Sequence, residues 1–159
     1  YADGFNSYDK RISNLALLMF PDNKYIRGAH KIINMGAKNI AISNNFADLG
    51  SKAFKTKDYE KAVDYFIKAK KLVPIEASHY LNLAQIYTLI GNVEKSIEEL
   101  DLIEENKIQV NDGKWEFLMA LNMISLDKAD ESCDYLKKSF NKGYERTKVL
   151  SILKKLRCL

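Results

Sequence analysis

The chain has 159 residues, 47% apolar and 29% charged, with 25 basic against 21 acidic side chains for a formal net charge of +4. That is enough chain for one domain with a real core, and too apolar a composition for a disordered one. So mild a charge excess does not by itself argue for nucleic acid, and charge has to be read segment by segment.

The two cysteines, Cys133 and Cys158, are too few for a disulfide framework and lack the spacing of a zinc site. Buried free thiols are the favoured reading, with a single bridge left open. No apolar run reaches the roughly 20 residues of a membrane span; "LALLMF", Leu15 to Phe20, stops at Pro21. No membrane insertion of this segment is expected. The first residue is Tyr1 rather than Met, which suggests a mature or excised fragment, and either a cytoplasmic or an extracytoplasmic setting is open.

Along the chain, apolar residues recur three and four apart almost everywhere and strand-like alternation is scarce, so the fold class is all-α. "NLALLMF" reads as the first helix, ended by "FPDNK" at Pro21. Further breaks fall at "KTKD" (Lys55 to Asp58), "LVP" (ending at Pro74), "IGN" (around Gly91), "VNDG" (Val110 to Gly113) and "LDKAD" (around Lys128). Their spacing predicts helices of roughly 12 to 15 residues joined by short turns. No linker or low-complexity tract divides the chain.

A repeat organises these helices. Phe46, Leu49, Gly50, Ala53, Ala62, Phe66 and Ala69 are followed 34 residues later by Tyr80, Leu83, Ala84, Tyr87, Ser96, Leu100 and Ile103. Antiparallel helices approach closely only where a small side chain faces a large one, so the period is a packing code. After a two-residue insertion at "VNDG", the residues Met119, Ala120, Met123, Ser132 and Leu136 lie 36 positions beyond Leu83, Ala84, Tyr87, Ser96 and Leu100.

These residues resemble the tetratricopeptide repeat, whose pattern W-x2-L-G-x2-Y, A-x3-F, P is similar to "FADLGSKA", "AVDYF" and Pro74 here, and to "YLNLAQIY" and "SIEEL" in the next unit. The second match departs at its end, with Ile103 and Ile108 in place of the small residue and the proline. The resemblance implies a right-handed superhelix of stacked antiparallel helix pairs, an α-solenoid. Its units are residues 43–76, 77–112 and a degenerate 113–144. Residues 8–42, with Ala29, Ile33 and Gly36 repeating the spacing of Ala62, Phe66 and Ala69, are expected to form an atypical capping repeat. Residues 145–159 are expected to form a capping helix whose stripe is Val149, Leu150, Ile152, Leu153, Leu156 and Leu159.

Catalytic chemistry finds little footing. His30 and His79 have no partner at motif spacing, and "LGSKAF" is no phosphate loop. The acidic run Glu94, Glu98, Glu99, Asp101, Glu104 and Glu105 has the spacing of a solvent-facing helix rather than of a calcium loop. A non-enzymatic chain without cofactor or metal is expected. The lysine-rich stretch from Gly50 to Pro74 carries seven lysines against three acids. On a helix from about Tyr59 its apolar stripe turns Lys57, Lys61, Asp64, Lys68 and Lys71 outward, a solvated row interrupted by an acid rather than a nucleic-acid ridge.

What the resemblance implies for function is a concave face that holds a peptide or helix of a protein partner. The inward-facing positions are Asn44, Ala47, Ser51, Phe54, Ser78, Leu81, Asn82, Gln85, Thr88, Lys114, Phe117 and Leu121, with Leu81, Phe54 and Phe117 expected to bury partner side chains. Tetratricopeptide domains that grip acidic chaperone tails use a lysine and asparagine clamp. Asn82 and Lys114 match it, whereas Ala47, Ser51 and Leu118 do not, so a carboxylate would lose most of its charge-assisted bonds and chaperone-tail binding is not expected. The alternative is a soluble accessory domain, extracytoplasmic, of a larger membrane-associated bacterial protein such as a glycan polymerase or ligase, or a surface lipoprotein. Partner identity and oligomeric state are open.

Overall fold

The computed structural model describes the backbone of residues 2–158 and side-chain packing over 11–158; Tyr1 and Leu159, on which two of the expectations above fall, lie outside the described residues. The described residues form eight helices and no strand: α1 Ala2–Met19, α2 Lys24–Lys55, α3 Tyr59–Leu72, α4 Ala77–Leu89, α5 Val93–Glu105, α6 Lys114–Ser125, α7 Ala129–Lys142 and α8 Arg146–Lys155. Successive helices pack on one another, and α4 and α5 each also touch α6, which is the contact pattern of stacked hairpins.

The repeat is written into the backbone as well as the side chains. The tight turns inside the three hairpins place a residue of positive φ at Lys57, Gly91 and Asp127. In each, the next residue's N–H reaches five positions back: Asp58 to the carbonyl of Ala53, Asn92 to that of Tyr87, Lys128 to that of Met123. These helix-ending motifs satisfy carbonyls that a helix end would otherwise leave unpaired. They recur at 34 and then 36 residues, the spacing of the side-chain pattern. Asp58 and Asn92 then cap the helices that follow, accepting from the backbone N–H of Lys61 and Lys95.

The small positions of the packing code are sealed. Ala62, Ala69, Ala84, Ser96 and Ala120 are fully buried, and the large partners Phe66, Leu83, Leu100 and Leu136 are buried against them. On α3, Lys61, Lys68 and Lys71 are exposed together with Asp64, and Lys68 pairs with Asp64 at 2.7 Å.

Three expectations are corrected. Helices are not all of 12 to 15 residues: α2 has 32 and passes through residue 42 without a turn, so the expected second helix of the 8–42 unit and first helix of the 43–76 unit are one rod. Nothing between Ala37 and Ser43 stops a helix, since that stretch lacks glycine and proline. The cysteines are not free thiols: Cys133 on α7 and Cys158 beyond α8 form a disulfide with Cα atoms 5.5 Å apart, tying the last helix to the stack. Finally, Glu99 does not face solvent with the rest of its acidic run. It is buried and takes Lys70 of α3 at 2.7 Å, while the same ammonium lies 5.0 Å from the centre of the Tyr80 ring.

The end of the stack is covered. Val149 and Leu153 of α8 are buried in one cluster with Phe117, Ala120 and Leu136, and Ile152 and Leu156 pack at its edge. A capping helix of this kind hides the apolar face that a terminal repeat would otherwise expose.

Candidate functional site

The first helices of the hairpins, the C-terminal half of α2 with α4 and α6, share one face of the stack. On it lie two adjoining hollows. The first, about 240 Å³, is lined by Ser51, Phe54 and Lys55 from α2, Asn82 and Gln85 from α4, with Phe66 at its floor. The second, about 100 Å³, is lined by Gln85, Thr88 and Leu89 from α4, Phe117, Leu118 and Leu121 from α6, and Tyr144, Glu145 and Lys148 beyond α7. Gln85 borders both, so they form one track across three helices.

Lys114 opens α6 and its ammonium donates to the side-chain oxygen of Asn82 at 3.3 Å. Burial holds that ammonium below the ordinary lysine range, opposed by the carboxylates of Asp112 and Glu145. Its position is set from behind. Gly113 has φ of 81°, and a Cβ there would stand 2.9 Å from the carbonyl oxygen of Ser139, so only glycine allows α6 to begin so close to α7. The hydroxyl of Ser139 donates to the Gly113 carbonyl at 2.9 Å and locks the approach.

Other expected groove residues are placed differently. Leu81 is 5% exposed and packs among Tyr80, Leu100, Trp115 and Leu118, because α4 is walled by neighbours on most sides. Phe117 is buried too, its ring 5.3 Å from that of Tyr144 and beneath the ammonium of Lys148. Neither has a free side chain to offer a partner. Thr88 is engaged in a polar knot: its hydroxyl, that of Ser96, the Asn122 carboxamide and the Ala84 carbonyl lie within 2.8–3.1 Å of one another along the bonded pairs. Asn44 and Ser78 are exposed outside both hollows, and Leu121 is half-buried at the second. Of the expected residues, Ser51, Phe54, Asn82, Gln85 and Leu121 line the hollows accessibly and Lys114 joins them through Asn82; with the exposed Lys55 and Lys148 the track offers hydrogen bonding, cations and limited apolar contact.

The sequence reading missed the far wall of this track. Tyr144 and Glu145 sit on the turn into α8, where Gly143 and Glu145 both have positive φ, and Lys148 lies in the first turn of α8. Burial first, then the charge of Glu145, pushes the Tyr144 phenol up to about 12. The glycine in "KGYER" marked the turn; nothing local marked that it folds back over α6.

Both histidines act in packing. His30 accepts from the Asn34 carboxamide at Nε2 and donates from Nδ1 to the Ser13 hydroxyl, each at 2.8 Å. His79 is 2% exposed, with its Nε2 3.0 Å from the hydroxyl of Ser43, which in turn donates to the carbonyl of Ala69. Since that hydroxyl's hydrogen is spent on Ala69, Nε2 is the donor and Nδ1 carries the lone pair.

No family model matches the chain. Among solved structures it is similar to the tetratricopeptide domain of Arabidopsis OM64, with TM-score 0.67 and 20% identity over 75% of this chain and 97% of that one. The fold is that of a tetratricopeptide-repeat domain. The same tetratricopeptide architecture appears in the first such domain of Spaghetti (RPAP3), solved with the HSP90 peptide SRMEEVD, at TM-score 0.66 and 17% identity over 74% of this chain and 92% of that one. The N-terminal domain of stress-induced protein-1 from C. elegans follows at 0.58 and 20%, over 77% and 97%. At such identities the tetratricopeptide likeness establishes fold, and the site rests on this chain's own residues.

Proposed function

We propose that this tetratricopeptide domain is a non-catalytic scaffold that holds a peptide or helix of a protein partner along α2, α4 and α6. The repeats 43–76, 77–112 and 113–144 would supply the track, residues 145–159 its cap and residues 8–42 its N-terminal flank. The observation that carries this reading is the continuity of the two hollows through Gln85, with Asn82 of the first bonded to Lys114. An extended segment laid there meets carboxamides able to serve its backbone N–H and C=O groups, and the ammonium groups of Lys114 and Lys55, each able to serve a carbonyl or a carboxylate, with Lys148 already paired to Glu145.

The peptide bound by the RPAP3 domain supports a peptide as the class of ligand. This chain's own lining argues against the same acidic tail. Leu118 is buried, and Ala47 and Ser51 bring no charge, so at the clamp positions Lys114 would be the only cation for two carboxylates. The outer lysine row gives no reason to propose specific nucleic-acid binding. The membrane-machine alternative draws no support from the neighbours. No described helix is long and apolar enough to cross a membrane. The Cys133–Cys158 bridge does favour an oxidising environment for the chain.

The test is capture of a partner by the intact domain beside an Asn82→Ala, Gln85→Ala variant and an outer-face Lys61→Ala variant. The proposal expects the partner to be lost with the first and kept with the second. Loss with Lys61→Ala alone would move recognition to the outer face.

A further inference from the structure

The front of α2 carries two apolar stripes on opposite sides. One, with Ile26, Ile33 and Ala37, is half-buried on the side of α2 that bonds α1 through Ser13 and His30. The other is Tyr25, Gly28, Ile32, Met35, Asn39 and Ile42, spaced three and four apart for six positions, and it is exposed except at the half-buried Asn39. Tyr25 is 76% exposed, Ile32 71% and Met35 56%. A Cβ on Gly28 would meet nothing within 4 Å, so a recess opens between Tyr25 and Ile32.

This face stands clear of the repeat stack. The bond from Ser43 to Ala69 and the stacking of Phe46 on Tyr65 fix the antiparallel register of α2 with α3, which ends at Leu72. Residues 24 to about 39 thus run past the end of α3, a projection on the order of 20 Å at the rise of an α-helix.

Charge decides what fits. Lys24, Lys31 and Lys38 each immediately precede a stripe residue and so form a lysine row along one flank, with Arg27 beyond it. Residues 24–47 contain no aspartate or glutamate. Among the described residues no carboxylate pairs with these lysines. A second copy laid antiparallel on this stripe would set lysine against lysine. Laid parallel, it would set lysine against Ala29 and Gly36. Neither supplies opposite charge. The heptad register, interrupted by the polar Asn39 and the recess at Gly28, is read by a facing helix and is indifferent to a bilayer.

We infer that the projecting front of α2 is a second docking surface, separate from the track on α4 and α6, for an amphipathic helix of a partner protein whose apolar a and d positions are flanked by glutamate or aspartate. The facing helix sets its large side chains between Tyr25, Ile32 and Met35, and its acids against the lysine row.

The probes are two labelled synthetic helical peptides, identical in their leucine and isoleucine seam, one with glutamate and one with lysine at the flanking positions. They are titrated against the whole chain by fluorescence anisotropy. The glutamate peptide is expected to bind at least about tenfold tighter, with the margin shrinking as salt rises. An Ile32→Gln, Met35→Gln variant should lose that binding. A Lys24→Glu, Lys31→Glu, Lys38→Glu variant should reverse the preference toward the lysine peptide, an outcome that simple unfolding cannot produce. Equal binding of both peptides, or none, overturns the inference. So does sedimentation that shows a dimer abolished by Ile32→Gln, Met35→Gln, which would assign the stripe to a second copy. Binding to phosphatidylglycerol vesicles through the same two residues, without peptide preference, would assign it to a membrane surface instead.

Discussion

A Cβ placed on Gly50 would stand 3.0 Å from the ring of Phe66, so α2 and α3 are as close at this point as a missing side chain allows. That contact is the first repeat's hinge of packing. Gly50→Leu should destabilise the domain by about 1–3 kcal/mol through overpacking. Combined with Phe66→Leu, which makes room, the loss should be smaller than the sum of the two single changes. Urea melts of the four proteins measure the coupling; additive losses would show that the two residues do not share the contact. Lys61→Leu, on the exposed face of the same helix pair, should shift stability by no more than about 0.5 kcal/mol.

Much of the fold was legible because close packing leaves a trace in the letters. Gly50 and Ala84, then Ala62 and Ser96, mark the small half of each contact, and the turns at Lys57, Gly91 and Asp127 follow the same interval. The continuity of α2 was not legible from the period, which carries a unit boundary forward whether or not a helix stops there. A stop needs a breaker, and Ala37 to Ser43 has none. Leu81 was misplaced for a related reason: a repeat position names the inner face, but α4 lies between α3 and α6 and its inner face is partly covered. Pairing of Cys133 with Cys158 depends on where α8 folds back, which no local pattern specifies.

His79 gives the domain a pH dependence. Burial holds its imidazolium below the ordinary histidine range, with the Glu76 carboxylate opposing. The unfolded chain therefore binds a proton more readily than the folded one. Stability is fully present above about pH 6.5 and falls as pH drops through the unfolded value toward the depressed folded one. Protonation would also place an N–H on Nδ1, which has no partner in the core. Denaturation of the native chain between about pH 7 and about pH 5.5 should show this loss. His79→Gln should be less stable throughout but flatter across that window. An equal slope in both would assign the dependence to other groups.

The disulfide closes a separation of 25 residues, for which chain entropy gives about 3.5 kcal/mol. A Cys133→Ser, Cys158→Ser variant should lose about 2–4 kcal/mol, and hydrogen exchange should show α8 losing protection before α4. Unchanged melting on reduction of the native chain would mean that α8 is held by Val149 and Leu153 alone.

The outer row of α3 should not read nucleic acid. Lys61 and Lys68 are paired with Asp58 and Asp64 at 2.7 Å on an exposed face. Only weak, strongly salt-sensitive association with labelled single- or double-stranded oligonucleotides is expected. Sequence-preferring binding at physiological salt, abolished by Lys61→Glu with Lys68→Glu, would contradict this.

On the proposed function, recognition runs along the track bordered by Gln85. The most direct measurement places a photo-crosslinking side chain at Gln85 in one version of the domain and at the outer-face position Lys61 in another, and compares what each captures from the same binding mixture. One protein partner is expected to crosslink through position 85, competed away by unlabelled wild-type domain but not by the Asn82→Ala, Gln85→Ala variant, and nothing at position 61. A partner captured through position 61, or competed equally well by that variant, would contradict it.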